Sequence, residues 1–208
     1  MTIPMQRPAG VRPEKRVDKF EQRRRKLAES ALTTIAERGF AHTGLREIAQ
    51  NSDLSHGALH YYFEGKDDLV AQAVWDCKSE CVRRYDPIVQ TATSADELIA
   101  RVAREMSETL RNEASLHRLW YDLRNQSLFD TGFRETIEAI DELLEQMVWA
   151  IVERYAALVG RPPAFDSSLA YALVDGMFQN ELIRFLRGDT GAVDRLRRDC
   201  AALLTSIA

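Results

Sequence analysis

His56 and His60 stand four residues apart in "SHGALHYY", on one face of any helix that carries them, and that spacing can hold a zinc ion. The metalloprotease form of the pair needs a glutamate directly after the first histidine. Gly57 occupies that place, and no third ligand follows nearby, so no metal site is expected. Cys77 and Cys81 share the same four-residue spacing. They read either as a soft-metal or redox pair or as two small packed residues. Cys200 has no sequence partner and reads as packing, while His42 and His117 read as surface or cap positions. There is no glycine-rich phosphate loop and no nucleophile elbow, and no carboxylate pair stands out from ordinary surface charge. The expectation is therefore no catalytic residue, no cofactor and no enzyme.

The same stretch suits a different chemistry, the reading of a nucleic acid. A helix that enters the major groove is short and carries small or polar residues in its first turn. Ser55 can cap such a helix, and the free amides behind it can meet a phosphate. Gly57 lets the backbone come close, Ala58 can touch a thymine methyl, and His56 or His60 can bond a base edge. Tyr61 can donate its hydroxyl to phosphate, and Lys66 can clamp the backbone from the next element, positioning rather than specifying. The plain alternative is a three-helix packing unit with a polar edge.

Charge supports the first reading. Residues 1–66 hold 12 Lys/Arg against 8 Asp/Glu, a net +4, whereas residues 67–208 hold 16 against 24, a net −8. Such asymmetry suggests two parts that face different partners. Three cysteines are too few for a disulfide scaffold and suit a reducing cytoplasm. No apolar run approaches the roughly 18 residues of a membrane span, and the Pro- and Arg-rich start does not read as a secretory signal.

The elements that must position these residues are helices throughout. Residues 1–16, with three prolines and a glycine among charges, are expected to be a disordered basic tail. Arg23, Arg24, Arg25 and Lys26 open a helix whose apolar face is Leu27, Ala28, Ala31, Leu32, Ile35 and Ala36. Gly39 suits its left-handed end, with Phe40 folding back. Thr43 is expected to cap a short helix with Leu45, Ile48 and Ala49 inward. A tight segment around Asp53 leads to a second short helix held by Leu59, Tyr62 and Phe63. Two such short helices need the first as a platform, which is the helix-turn-helix pattern. Further helices follow from Lys66 to about Tyr85, where Pro87 kinks or ends the run, from the capping box at Ser94, over 115–128, from Phe133 to Leu158, and over about 166–187 and 191–206. The expected fold is all-α, about nine helices, with a DNA-binding domain at 17–64 and a helical domain at 65–208.

The segment "TGLREIAQNSDLSHGALHYYFEGKDDLVAQAV" resembles the DNA-binding signature of the TetR family of transcriptional regulators. The resemblance rests on Ile48-Ala49, the Ser55-His56-Gly57-Ala58-Leu59 run, Tyr62-Phe63 and Lys66-Asp67-Asp68-Leu69, and spans roughly residues 20–75. It implies double-stranded DNA contacts from Arg25, Thr43, Gly44, Arg46, Ser55, His56, Gly57, Ala58, His60, Tyr61 and Lys66. Asp53 stands where the family usually has glycine, Gly44 where it often has Ser or Thr, and His60 where Tyr is common. Asp tolerates a left-handed turn better than most residues.

The resemblance also implies a C-terminal domain that binds a small molecule and dimerises through its last two helices. Soft and aromatic candidates for a pocket are Trp75, Trp120, Tyr121, Phe129, Met147, Tyr171, Met177 and Phe178; Arg124, Asn125, Gln126 and Asn180 could orient a ligand. Each could equally serve the core or a dimer interface. Glu181 and Asp175 would favour a cation if they point inward, and Arg124 an acid. The expectation is a cytoplasmic, homodimeric repressor that releases a palindromic operator when its effector binds. The alternatives are an activator or a ligand-independent DNA-binding dimer, and a helical Cys/His redox or metal protein.

Overall fold

The computed structural model describes residues 13–40, 42–51, 56–129, 132 and 134–207, leaving the side chains of 13–18, 51, 56 and 207 aside. Nine helices occur among these residues: α1 (Pro13–Arg38), α2 (Leu45–Asn51), α3 (His56–Tyr62), α4 (Lys66–Arg83), α5 (Asp86–Thr91), α6 (Ala95–Gln126), α7 (Arg134–Val159), α8 (Ser167–Leu186) and α9 (Ala192–Ile207). The start of α1 corrects the expected tail: the helix already runs at Pro13, whose fixed φ suits a first turn. Residues 1–12 lie outside the described residues.

α1 is a platform because its apolar positions recur every three to four residues. Leu27, Ala28, Ala31, Ile35 and Ala36 are all buried. It ends as the sequence predicts, with Gly39 at φ 84° and its amide donating to the Ile35 carbonyl at 2.8 Å. α2 adds Ile48 and α3 adds Leu59 and Phe63 to this core. The α2–α3 connection, with Asp53 and Ser55, lies outside the described residues.

Thr43 does not cap α2, as it was expected to. It is almost fully buried and donates its hydroxyl back to the Gly39 carbonyl at 2.8 Å. Gly44 takes the cap position instead. Its amide donates to the Glu47 carboxylate at 3.0 Å, and a Cβ on Gly44 would sit 2.7 Å from that oxygen. Glycine is thus what lets Glu47 fold back over the helix start.

α4 lies along α1 and continues toward α7, so it belongs to both halves of the molecule. Pro87 falls in the first turn of α5, one short turn beyond α4. The Ser94 hydroxyl accepts from the Glu97 amide at 3.2 Å, as a capping box requires, but the Glu97 carboxylate takes the Thr93 amide and hydroxyl instead of closing on Ser94. The two helices expected from Ser94 and over 115–128 are one, α6. It is bent at Glu113, whose φ −127° and ψ 20° leave the helical region. α7 closes at Gly160, φ 70°, with the Arg161 amide donating to the Ala156 carbonyl at 3.1 Å, a Schellman end. α6, α8 and α9 pack side by side, and a single apolar cluster runs from Leu27 in α1 to Leu204 in α9. No described helix is long and apolar enough to cross a membrane.

Candidate nucleic-acid interface and ligand cavity

α3 has only seven residues, too few to hold a helix in water by itself. Leu59 and Phe63 anchor it inward, each buried side chain contributing about 1.5–3 kcal/mol. Phe20 of α1 stacks on Tyr62 at 4.9 Å, and Tyr61 meets Tyr62 edge-on at 4.9 Å. Arg24 lies 5.1 Å from the Phe63 ring and pairs with Asp68 of α4. These contacts fix the rotation of α3. Gly57, His60 and Tyr61 then face outward, with Tyr61 70% exposed. A Cβ at Gly57 would meet no atom within 4 Å, so nothing inside the protein demands glycine there. The requirement fits a backbone that something outside must approach.

Arg46 is exposed on α2 and Ala58 is half-buried on α3. Arg25 is exposed but leans toward α4, its Nε 4.0 Å from Asp76. Thr43 is buried in the α1–α2 corner and does not reach outward. Lys66 is turned inward too. Its ammonium donates to the Phe40 carbonyl and sits 3.6 Å from the Phe40 ring, binding α4 to the end of α1. It is an internal clamp here, because the α1 end offers a carbonyl and a ring at once. Ser55 and the His56 side chain lie outside the described residues.

The second site is a cavity of about 60 Å³, lined from α4, α6, α7 and α8. Five expected residues line it: Trp120, Tyr121, Met147, Tyr171 and Phe178. Arg124 stands at its edge, donating to Asp141 at 3.1 Å and Asp175 at 2.5 Å. Tyr121 donates to Asp175 at 2.9 Å, and Tyr171 donates to Asp141. Four expected residues lie elsewhere. Phe129 is 92% exposed in the turn after α6, and Asn180 faces outward on α8. Trp75 is 37% exposed and lines a groove between α1 and α4, while Met177 lines a smaller apolar cavity next door.

The cavity also holds polar residues that were not expected there. Lys78 is 3% exposed, and its ammonium lies 3.0 Å from Nδ1 of His117. His117, expected at the surface or a cap, is 8% exposed and stacks on Phe178 at 4.7 Å. Burial, then the Lys78 charge, pushes its pKa well below the ordinary range, so the ring is neutral and Nδ1 accepts from Lys78. Burial likewise lowers the Lys78 pKa. Thr109 is buried with its hydroxyl oxygen lacking a protein partner. The signal was present in the pattern: Lys78 interrupts the inward series Val70, Val74, Cys81, and His117 falls among Leu110, Ala114 and Tyr121.

The cysteines are not poised for redox chemistry. Burial pushes the Cys77 thiol up to about 11, and the Cys81 and Cys200 thiols upward as well. No group of three His, Cys, Asp or Glu able to hold a metal occurs among the described residues.

The family model for bacterial regulatory proteins of the tetR family matches residues 27–73, which cover the α1 core face, α2, α3 and the start of α4. The transcriptional regulator PksA of Bacillus subtilis is 27% identical over 198 residues, 88% of either chain. The transcriptional repressor KstR2 of Mycolicibacterium smegmatis is 25% identical over 152 residues, 73% of this chain and 74% of that one. The solved structure of the regulator FadR from Bacillus subtilis with stearoyl-CoA superposes with a TM-score of 0.72 at 18% identity, covering 86% of this chain and 96% of that chain. That likeness concerns the fold alone. The helix-turn-helix signature and the family match agree over residues 27–73, and beyond them the chain is similar to curated transcriptional regulators over most of its length.

Proposed function

We propose that the protein is a cytoplasmic homodimeric repressor that binds a palindromic operator and lets it go when a small molecule fills the cavity. The observation that carries this reading is that α4 serves both sites. It starts at Lys66, locked to the end of α1, and delivers Lys78 and Cys81 to the cavity wall. Lys66 and Lys78 are about 18 Å apart along the helix at 1.5 Å per residue. A ligand that moved α4 would therefore move the platform of α3. It can shift the balance only by binding one arrangement better than the other.

The exposed face of α8 supports the dimer. Leu169, Leu173 and Ile183 are exposed at steps that keep one face, with Gly176 open between them. An unburied apolar stripe of this kind marks an interaction surface. Pairing would set two copies of α3 at successive major grooves, about 34 Å apart. The similarity to a named repressor supports the direction of control, and a fold neighbour solved with stearoyl-CoA supports a small-molecule ligand.

The test is binding to the DNA upstream of its own gene at two salt concentrations, with sedimentation at the same protein concentrations. We expect a dimer, sequence-selective binding, and affinity that falls steeply with salt. Tyr61→Ala should weaken binding by about tenfold with the dimer intact, within the 1–3 kcal/mol range of a specific contact. Salt-insensitive or unselective binding would count against the reading, and an unchanged affinity for Tyr61→Ala would misplace the reading face.

A further inference from the structure

We propose that the cavity is built for an apolar carboxylate, its acid group on Lys78 and its hydrocarbon body between Trp120, Phe178, Met106 and Met147. Its meaning as an effector site rests on the regulator reading; its chemistry does not.

Lys78 is the anchor. Its side chain is nearly sealed from solvent, and its ammonium meets His117 Nδ1 and, at 5.1 Å, the Trp120 ring, while the charges of Asp175 and Glu113 act on it from beyond contact distance. No carboxylate lies within 4.0 Å of it among the described residues. A buried charge without a counter-charge is costly, and an incoming anion relieves that cost. The neighbouring carboxylates are already matched. Asp175 is taken by Arg124 and Tyr121, and Glu181 by Arg184 and Arg195. A cationic ligand would therefore meet no open negative charge. A single uncompensated ammonium balances a single anionic charge, which favours a carboxylate over a multiply charged phosphate ester.

Two more donors stand ready. With Nδ1 of His117 accepting from Lys78, its Nε2 carries the ring proton. The Thr109 hydroxyl, lacking a protein partner, lies two turns earlier on α6. Apart from Asp175 and the hydroxyls of Tyr85, Tyr121 and Tyr171, the remainder of the lining is apolar. Beyond it lies the second cavity, wholly apolar in its lining and floored by Ile151, Leu203 and Leu204. The two spaces share Met106, Met147, Val148 and Val174 as their partition. Methionine is unbranched and repacks readily, so a linear tail can pass where a rigid ring system cannot.

The test uses three probes of equal chain length on the full chain: decanoate, decan-1-ol and decyltrimethylammonium. Calorimetry and Trp fluorescence would read the binding. We expect one decanoate per chain, bound at least about tenfold tighter than decanol, and the ammonium probe weakest. Lys78→Met should lower decanoate affinity about tenfold and leave decanol within about threefold. If that variant does not fold, the ranking of the three probes on the native chain still decides. Decanol equal to decanoate, the ammonium probe tightest, no binding of any probe, or a folded Lys78→Met with native decanoate affinity would each overturn the proposal. Operator binding measured without ligand keeps the two ideas apart. DNA bound with decanoate ignored sinks this inference and spares the regulator; decanoate bound with no selective DNA binding does the reverse.

Discussion

His117 is a neutral ring held against a lysine inside the C-terminal domain. Its pKa is depressed below the unfolded value by burial first and Lys78 second, with Arg84 adding to the effect. Asp175 also lines this cavity, but Arg124 and Tyr121 occupy it. Below about pH 6.5 the unfolded chain takes up a proton that the folded chain refuses. Stability contributed by this site is thus present above that pH and is lost as pH falls, by at most about 1.4 kcal/mol per pH unit for one proton. Urea midpoints measured between pH 7.5 and 5.5 should fall for the native chain, and His117→Gln should flatten that slope. An unchanged slope would mean that the ring is protonated in the fold. At this scale the outward face of α3 was more legible than the cavity. Gly57, His60 and Tyr61 could be placed because a seven-residue helix with two inward anchors has only one outward face. His117 and Lys78 were not, because a polar residue inside an apolar stripe looks like an ordinary surface position until the opposing helix is known.

Element boundaries followed from local chemistry where that chemistry was self-contained. Gly39, Gly160, Ser94 and Pro87 each mark an end that neighbouring backbone atoms settle by themselves. The bend in α6 was not legible, because Glu113, where it falls, is paired with a residue outside α6. Arg84, just past α4, donates from both guanidinium ends to Glu113 at 2.7 and 2.8 Å, and lies 3.6 Å from Glu105. The bend falls between Thr109 and His117, so the same ion pair shapes the polar side of the cavity. Removing the guanidinium leaves a half-buried carboxylate at a broken turn. Arg84→Met should cost about 1–2 kcal/mol, allowing for the partial exposure of both partners. Arg101→Met, which removes an exposed i,i+4 partner from Glu97, should cost less than about 0.5 kcal/mol. Urea denaturation of both variants checks the contrast, and equal losses would show that the Arg84 pair is only a surface contact.

Across the whole molecule, the two sites meet at the end of α1. Arg118 reaches from α6 to the Ala36 carbonyl at 2.6 Å and the Glu37 carbonyl at 3.2 Å. A cation suits a helix C-terminus, where unpaired carbonyls gather. Arg118 follows His117 directly, so one turn of α6 carries a cavity wall on one side and a grip on the reader's platform on the other. Lys66 grips the same α1 end from α4. Two helices that line the cavity therefore hold the platform, through polar contacts that can break singly without exposing the shared apolar core. Coupling between two sites is a difference in affinity, usually 5- to 150-fold. Arg118→Met should leave operator affinity without ligand within about threefold, because the reading face is untouched. It should shrink the ratio of operator affinities measured with and without saturating decanoate, toward unity if Arg118 is the main link. A ratio equal to that of the native chain would assign the coupling to α4 and its Lys66 clamp instead.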